Sequence, residues 1–343
     1  RRHTRLQGDW SSDVCSSDLW RQIRSARRVT TGERSAEAPG ASHHVVDAAA
    51  GVTVYRGSAY PAEYYGTLFV GDGQNNLVHH RRLIPAGVTF ESERVETKTE
   101  FVRSTDIWFR PVNFVNAPDG TLYCLDMSRE VLESIHVPLD VAEHLDFTSG
   151  RNTGRIYRMA PRGFVPRAAP RLEQVPGDNL VRALESADGW ARDTAARLIF
   201  ERQDRRMVPG LERLALRSES AATRVAALWA LRGLGALRGE TLGAALRDDH
   251  PRVRETALRL VEPVLDSIGA LRDLVLSMGI DTDPRVRFQL AFTLGESNDP
   301  RAAELLARLA RAESGDAWMR TAILSSVGRS PGRMLQEIGR AHV

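Results

Sequence analysis

The stretches "HPRVRETALRL" (250–260) and "DPRVRFQLAFTL" (283–294) are two copies of one frame, and three more copies flank them. These are "DGWARDTAARL" (188–198), "SAATRVAALWAL" (220–231) and "DAWMRTAILSSV" (316–327). Their arginines, Arg192, Arg224, Arg254, Arg287 and Arg320, recur at separations of 32, 30, 33 and 33 residues. Four residues before each arginine stands Asp188, Ser220, His250, Asp283 or Asp316, mostly residue types that cap helix N-termini. Pro251 and Pro284 follow at the position where a helix start tolerates proline.

Working outward, "VPGLERLAL" (208–216) and "AAELLARLA" (302–310) supply partner helices between the frames. "LVRALESADGWARDTAARLIF" (180–200) places Leu180, Leu184, Ala187, Ala191, Ala195 and Leu198 near a 3.6-residue period. A repeat of about 30 residues, each a helix pair, reads as an α-solenoid of the HEAT type over 177–330. The recurring arginines and acids are expected to form caps and a ladder between repeats.

Upstream, the period changes. "VTVY" (52–55), "TLFVGD" (67–72), "NLVHHRRL" (76–83), "VTFESERVE" (88–96), "VNFV" (112–115), "TLYCLD" (121–126) and "GRIYRM" (154–159) are short β-rich pieces between glycine-marked turns. Pro118-Asp119-Gly120 is turn chemistry between two of them. Strand, P-D-G turn, strand is the pattern of a propeller blade. The expected fold is thus β plus α and multidomain: the closing blades of a partial β-propeller over 43–160, then the solenoid. A proline-rich linker, 161–176, separates them. About two blades are present, so the β part is expected to be incomplete, with an open edge.

The ends read differently. "GDWSSDVCSSDL" (8–19) and "EIGRAHV" (337–343) look like translations of a sequencing-library adapter and are set apart from the fold. On that reading the chain is a fragment. Residues 1–42 are adapter-derived or disordered, and 331–343 are a tail. With Cys15 set apart, Cys124 is left alone, with no disulfide partner and no C-x-x-C-H haem attachment site.

Composition excludes several classes. Hydrophobic residues at 42% and charged ones at 27% are those of a globular protein. No apolar run is long enough to cross a membrane as a helix. Net charge is only +3 with charges interspersed, so the footprint of a nucleic-acid binder is missing. Lys98 is the sole lysine, an arginine bias that points to a GC-rich genome rather than phosphate binding.

Three stretches carry a family resemblance: "VYRGSAYPAEYYGTLFVGDGQNNLVHHRRL" (54–83), "FVRSTDIWFRPVNFVNAPDGTLYCLDMSREVLESIHVP" (101–138) and "GRIYRMAP" (154–161). They resemble the propeller of quinoprotein glucose and sorbosone dehydrogenases. With the repeats, the chain is similar to the bacterial membrane-bound dehydrogenase family, which joins a propeller to HEAT repeats and often to a c-type haem domain. The resemblance implies an extracytoplasmic, periplasmic protein that oxidises sugars or alcohols. Its cofactor would be pyrroloquinoline quinone, with haem c only in a downstream domain. By position Arg110 matches a quinone-contacting arginine. Trp108 stands where that pattern has a second arginine, and Pro111 where it has an aspartate, which removes one cation from the site. The family's general-base histidine comes from an early blade that this chain lacks, so the fragment alone is expected to be inactive.

Candidate site residues follow. Arg110 and Trp108 are the cofactor candidates; Asp106, Asp126 and Arg129 are the substrate candidates, for a sugar or polyol. The alternatives are an arginine pairing with Asp106 or Asp126 at a blade corner, a blade-packing Trp108, and an ion-pair network of Asp126, Arg129, Glu130 and Glu133. The pairs His43-His44 and His79-His80 point to opposite strand faces. His136 and His144 lack ligand spacing, and no metal site is expected. Cys124 reads as a small core residue. The competing function is a non-enzymatic scaffold that binds protein or polysaccharide, with protein partners meeting the solenoid surface.

Overall fold

The computed structural model describes residues 49–96, 99–106, 108–132, 139–328 and 331–339. It divides into two compact units. The first ends at Ala169; the second begins at Pro170 and includes Pro85–Glu91.

The first unit is built on antiparallel sheets. Strands β1 (Ala49–Val54), β2 (Leu68–Asp72), β3 (Leu77–Ala86) and β4 (Thr89–Arg94) run in sequential order, and the two-residue β5 (Val102–Arg103) also pairs with β3. A second sheet orders β6 (Pro111–Asn116), β7 (Leu122–Asp126) and β8 (Arg155–Met159). Each of the seven β-rich pieces in the sequence lies on one of these strands. Both sheets are open among the described residues, and no closed ring of strands is formed.

The P-D-G turn closes the β6–β7 hairpin. Gly120 N donates to Ala117 O at 3.0 Å and Ala117 N to Thr121 O at 2.9 Å. Gly120 sits at φ +84°, a conformation glycine adopts without steric cost. Asp119 Oδ1 accepts from the Thr121 amide at 3.1 Å and its hydroxyl at 2.6 Å. The two sheets share a core of Tyr55, Phe69, Val78, Phe109, Phe114, Leu122, Cys124 and Met159. They approach closely at Gly51, where a Cβ would lie 2.5 Å from Asn113 Cα. Thr53 Oγ1 donates to Phe114 O at 2.9 Å across the same seam.

The second unit is a two-layer helical array. One layer is α1 (Gly177–Ala183), α3 (Val208–Arg217), α5 (Gly239–Ala245), α7 (Gly269–Ser277), α9 (Pro300–Ala312) and α11 (Pro331–Gly339). The other is α2 (Gly189–Arg202), α4 (Ala221–Gly233), α6 (Pro251–Val261), α8 (Pro284–Gly295) and α10 (Ala317–Ser326). Successive members of each layer stack on one another over one continuous apolar core from Leu172 to Met334.

Three sequence expectations shift here. The run 180–200 is two helices, because Asp188 Oδ1 accepts from Trp190 N at 2.9 Å and Ala191 N at 3.3 Å and starts a new one. Ala187 falls in the loop and is exposed. The linker carries a 3₁₀ turn at Leu172–Gln174, and buried Leu172 joins the helical core. Residues 331–339, read as tail, form α11.

The frame's arginine has a fixed geometry. Arg192, Arg224, Arg254, Arg287 and Arg320 each donate through Nη1 to the carbonyl six residues earlier: Ser186, Ser218, Asp248, Asp281 and Ser314. Three also reach a carboxylate of the next repeat. Arg224 Nη2 meets Asp248 Oδ1 at 2.8 Å, Arg254 Nε meets Asp281 Oδ2 at 2.7 Å, and Arg287 Nε meets Glu313 Oε1 at 2.6 Å. The expected ladder is present at these rungs.

Candidate functional site

The five candidate residues come together around one end of the β6–β7–β8 sheet. Asp106 opens a tight turn before β6: its Oδ1 accepts from Trp108 N at 2.9 Å, and its carbonyl accepts from Phe109 N at 3.0 Å. That turn drives Phe109 into the core, edge-on to Tyr157 at 5.8 Å, and directs Arg110 inward.

Arg110 is 2% exposed. Its Nε donates to Arg129 O at 2.8 Å, its Nη1 to Gly73 O at 2.8 Å and Gln74 O at 3.4 Å, and its Nη2 to Glu130 O. Its own amide donates to Asp126 Oδ1 at 2.7 Å. The guanidinium thus clamps the β2–β3 turn to the segment after β7. Main-chain carbonyls take the donors that a carboxylate or quinone ligand would need. This is a corner role of the kind weighed against ligand contact, with carbonyls rather than Asp106 or Asp126 as side-chain acceptors. The residues here do not fit pyrroloquinoline quinone at Arg110.

Asp126 is equally committed. Oδ1 also accepts from Ser128 N at 2.8 Å, and Oδ2 accepts from Arg155 Nε at 2.7 Å. Arg155 Nη1 extends to Asp106 Oδ2 at 3.0 Å. Burial disfavours the Arg155 cation, but the charge of Asp126 and the bond to Asp106 outweigh it and raise its pKa. Arg129 Nη1 donates to Thr148 O and Ser149 O, both at 3.1 Å. Gly150, at φ +80°, would set a Cβ 2.9 Å from Trp108 Cζ3, so the indole closes over that loop.

The solvent-facing part is therefore Trp108, Asp106, Arg129 and Arg155, all partly exposed. An indole beside a carboxylate and two guanidinium groups can meet hydroxyl groups of a sugar or polyol. The sequence reading passed over Arg155. Strand register is the signal for it, since β7–β8 pairing sets Arg155 opposite Asp126.

A second buried cluster was also missed. His79, on β3, is 2% exposed. Its ring donates through Nδ1 to Glu100 Oε2 at 2.8 Å and through Nε2 to Asp72 Oδ2 at 3.3 Å. Arg94 pairs with the other Glu100 oxygen. Burial pulls the imidazolium down and is the largest single influence. The hydrogen bonds and charges of Asp72 and Glu100 outweigh it and push the ring up to about 9. His80 points to the opposite face, stacked between Phe69 at 4.6 Å and Tyr64 at 4.9 Å. Its Nε2 lies 2.8 Å from Thr67 Oγ1. Among the described residues no group of three or more His, Cys, Asp or Glu is placed to hold a metal ion.

Cys124 is fully buried, and burial followed by the Asp126 charge pushes its thiol up to about 12, which leaves it unreactive. His144 is exposed on its own loop. Glu133, His136, His43 and His44 lie outside the described residues.

Comparison with known proteins gives two matched families. Residues 10–163 match a domain of unknown function, DUF7133. That match runs through residues 10–42, which the sequence reading set apart. Residues 239–328 match HEAT repeats, so the second unit is a helical solenoid that contains HEAT repeats. No curated protein matches. A solved structure titled as the crystal structure of an engineered protein is 17% identical, with 48% of this chain and 94% of that chain covered. Its TM-score is 0.29.

Proposed function

We propose that this chain is a binding scaffold, in which HEAT repeats present a surface to a protein partner and the two sheets are blades of a propeller. The observation that carries this reading is a row on the second helical layer. The position five residues after each ladder arginine holds Arg197, Trp229, Arg259, Phe292 and Ser325, and all five are exposed. Trp229 is 49% exposed and Phe292 37%. Arginine and aromatic residues alternate along the first four, the residue types enriched where protein interfaces concentrate their binding energy. The buried, carbonyl-bound Arg110 supports the scaffold over a quinone enzyme. The test uses the immobilised full chain and an extracytoplasmic extract of its source organism. A specific partner should be retained, and a Trp229→Ala, Phe292→Ala double variant with unchanged unfolding should lose it. Retention that the double variant does not alter would refute the reading.

A second reading is favoured by the partly exposed Trp108 between charged neighbours. There the intact, extracytoplasmic protein oxidises sugars or related alcohols. A dye-linked dehydrogenase assay on the intact protein, with and without quinone and calcium, tests it. No turnover on any sugar or alcohol would sink it.

A further inference from the structure

The exposed row on the second helical layer has a second aromatic ring beside it, and the charges around the two rings do not balance. Phe200, near the end of α2, is 58% exposed, and Trp229, on α4, is 49% exposed. Gly233 stands four residues after Trp229, on the same face of α4. A Cβ there would lie 2.8 Å from Phe200 Cδ2, so the Phe200 ring rests on α4 where no side chain stands. Helices α2, α4 and α6 stack in that order. Arg232, three residues after Trp229, and Arg259, in the Trp229 row on α6, therefore border the two rings. Arg232 is exposed and, among the described residues, meets no carboxylate. The Arg259 side chain is 46% exposed, and its carboxylate, the buried Glu255, is shared with Arg252 and Arg285. Glu201, next to Phe200, is taken by Arg197 at 2.7 Å. Glu262 turns to Thr293 at 2.9 Å and Gln289 at 3.1 Å. Positive charge is thus in excess beside two open rings.

We propose that Phe200, Trp229, Arg232 and Arg259 dock an acidic segment of a partner protein, one in which aspartate or glutamate stands next to aromatic or large aliphatic side chains. The inference rests on the docking reading above and names the chemistry of its partner. Charge complementarity selects the acids: their carboxylates meet the guanidinium forks in paired hydrogen bonds. The apolar side chains cover the two rings, and tryptophan with arginine is the pairing on which interfaces concentrate their binding energy. A net charge of only +3 and the lack of a basic stripe weigh against a nucleic acid as the occupant.

The test pans a phage-displayed library of random peptides on the immobilised full chain and measures synthetic copies of the selected peptides by fluorescence anisotropy. Aspartate or glutamate beside phenylalanine, tryptophan, tyrosine or leucine should dominate the selected sequences. Arg232→Glu should weaken their binding by about tenfold or more, with unchanged unfolding. Replacing the acids of the peptides by their amides should weaken it similarly. Added salt should weaken binding to the wild type more than to that variant. Neutral or basic peptides that Trp229→Ala releases would overturn the acidic partner and leave the docking reading standing. Peptides indifferent to both variants, or no selected peptide at all, would overturn both. Arg232-dependent binding of double-stranded DNA or of phosphatidylglycerol vesicles, as tight as that of the peptides, would overturn the proposal. So would a dimer of the chain that Arg232→Glu dissociates, since a second copy would then be the occupant.

Discussion

Arg254 and Asp281, 27 residues apart in sequence, are joined by two hydrogen bonds, Nε to Oδ2 at 2.7 Å and Nη2 to Oδ1 at 2.8 Å. The Nη1 of the same guanidinium donates to the carbonyls of Asp248 at 2.8 Å and Asp249 at 3.0 Å. One side chain thus ties the loop before its own helix to the loop before the next. Both partners are largely buried, with side chains 16% and 9% exposed. Arg254→Ala should therefore cost about 2–4 kcal/mol, mostly from leaving Asp281 and the carbonyls without their partner. Urea unfolding measures it. A loss under about 0.5 kcal/mol would mean that the ladder is decoration.

The caps should behave as smaller, separable contributions. Asp316 Oδ1 accepts from Trp318 N at 2.8 Å and Met319 N at 3.0 Å, in a repeat whose Arg320 meets no carboxylate among the described residues. Asp316→Ala should cost about 1 kcal/mol, and Asp316→Ser should recover most of it. Equal losses for both variants would show that the side-chain cap is not the cause.

The His79 cluster predicts a pH dependence. Its ring titrates at about 9 in the folded protein against 6.5 when free. A raised folded value means that the stabilisation is fully present below about pH 6.5. It is lost as pH rises through about 9. The shift corresponds to about 3 kcal/mol. Glu100 is lowered in the folded state: burial opposes this, and the bonds to His79 and Arg94 outweigh it. Its contribution is lost as pH falls below the carboxylate range. Unfolding of the β unit, followed by aromatic fluorescence between pH 6 and 10, should show the alkaline loss. His79→Gln should flatten it; an unchanged slope in that variant would assign the loss elsewhere.

The helices were legible because their signals are local. A cap residue and an arginine four positions later recur in one frame, and the cap bonds and the arginine's bond to the carbonyl six residues earlier lie within one loop and helix. Strands were legible because turn residues bound them. What stayed hidden depends on register or on the main chain. Asp72 meets His79 because β2 and β3 pair with Val70 opposite His79, and Glu100 reaches them from the segment before β5, which also pairs with β3. Arg155 gains its role only from standing opposite Asp126. The acceptors of Arg110 are carbonyls, which no side-chain spacing announces. Arg110 and Asp126 thus mark a packed corner, with Trp108 and Asp106 as its open face.

Arg110 is the residue on which the scaffold and quinone-site readings differ most sharply. The decisive measurement is urea unfolding of the full chain against its Arg110→Met variant, with Arg110→Lys alongside. A buried guanidinium clamped on four main-chain carbonyls predicts a loss of about 3 kcal/mol or more from the β unit, only partly restored by lysine, whose single ammonium cannot span both segments. Wild-type stability in Arg110→Met would contradict the account and return Arg110 to the role of a ligand contact.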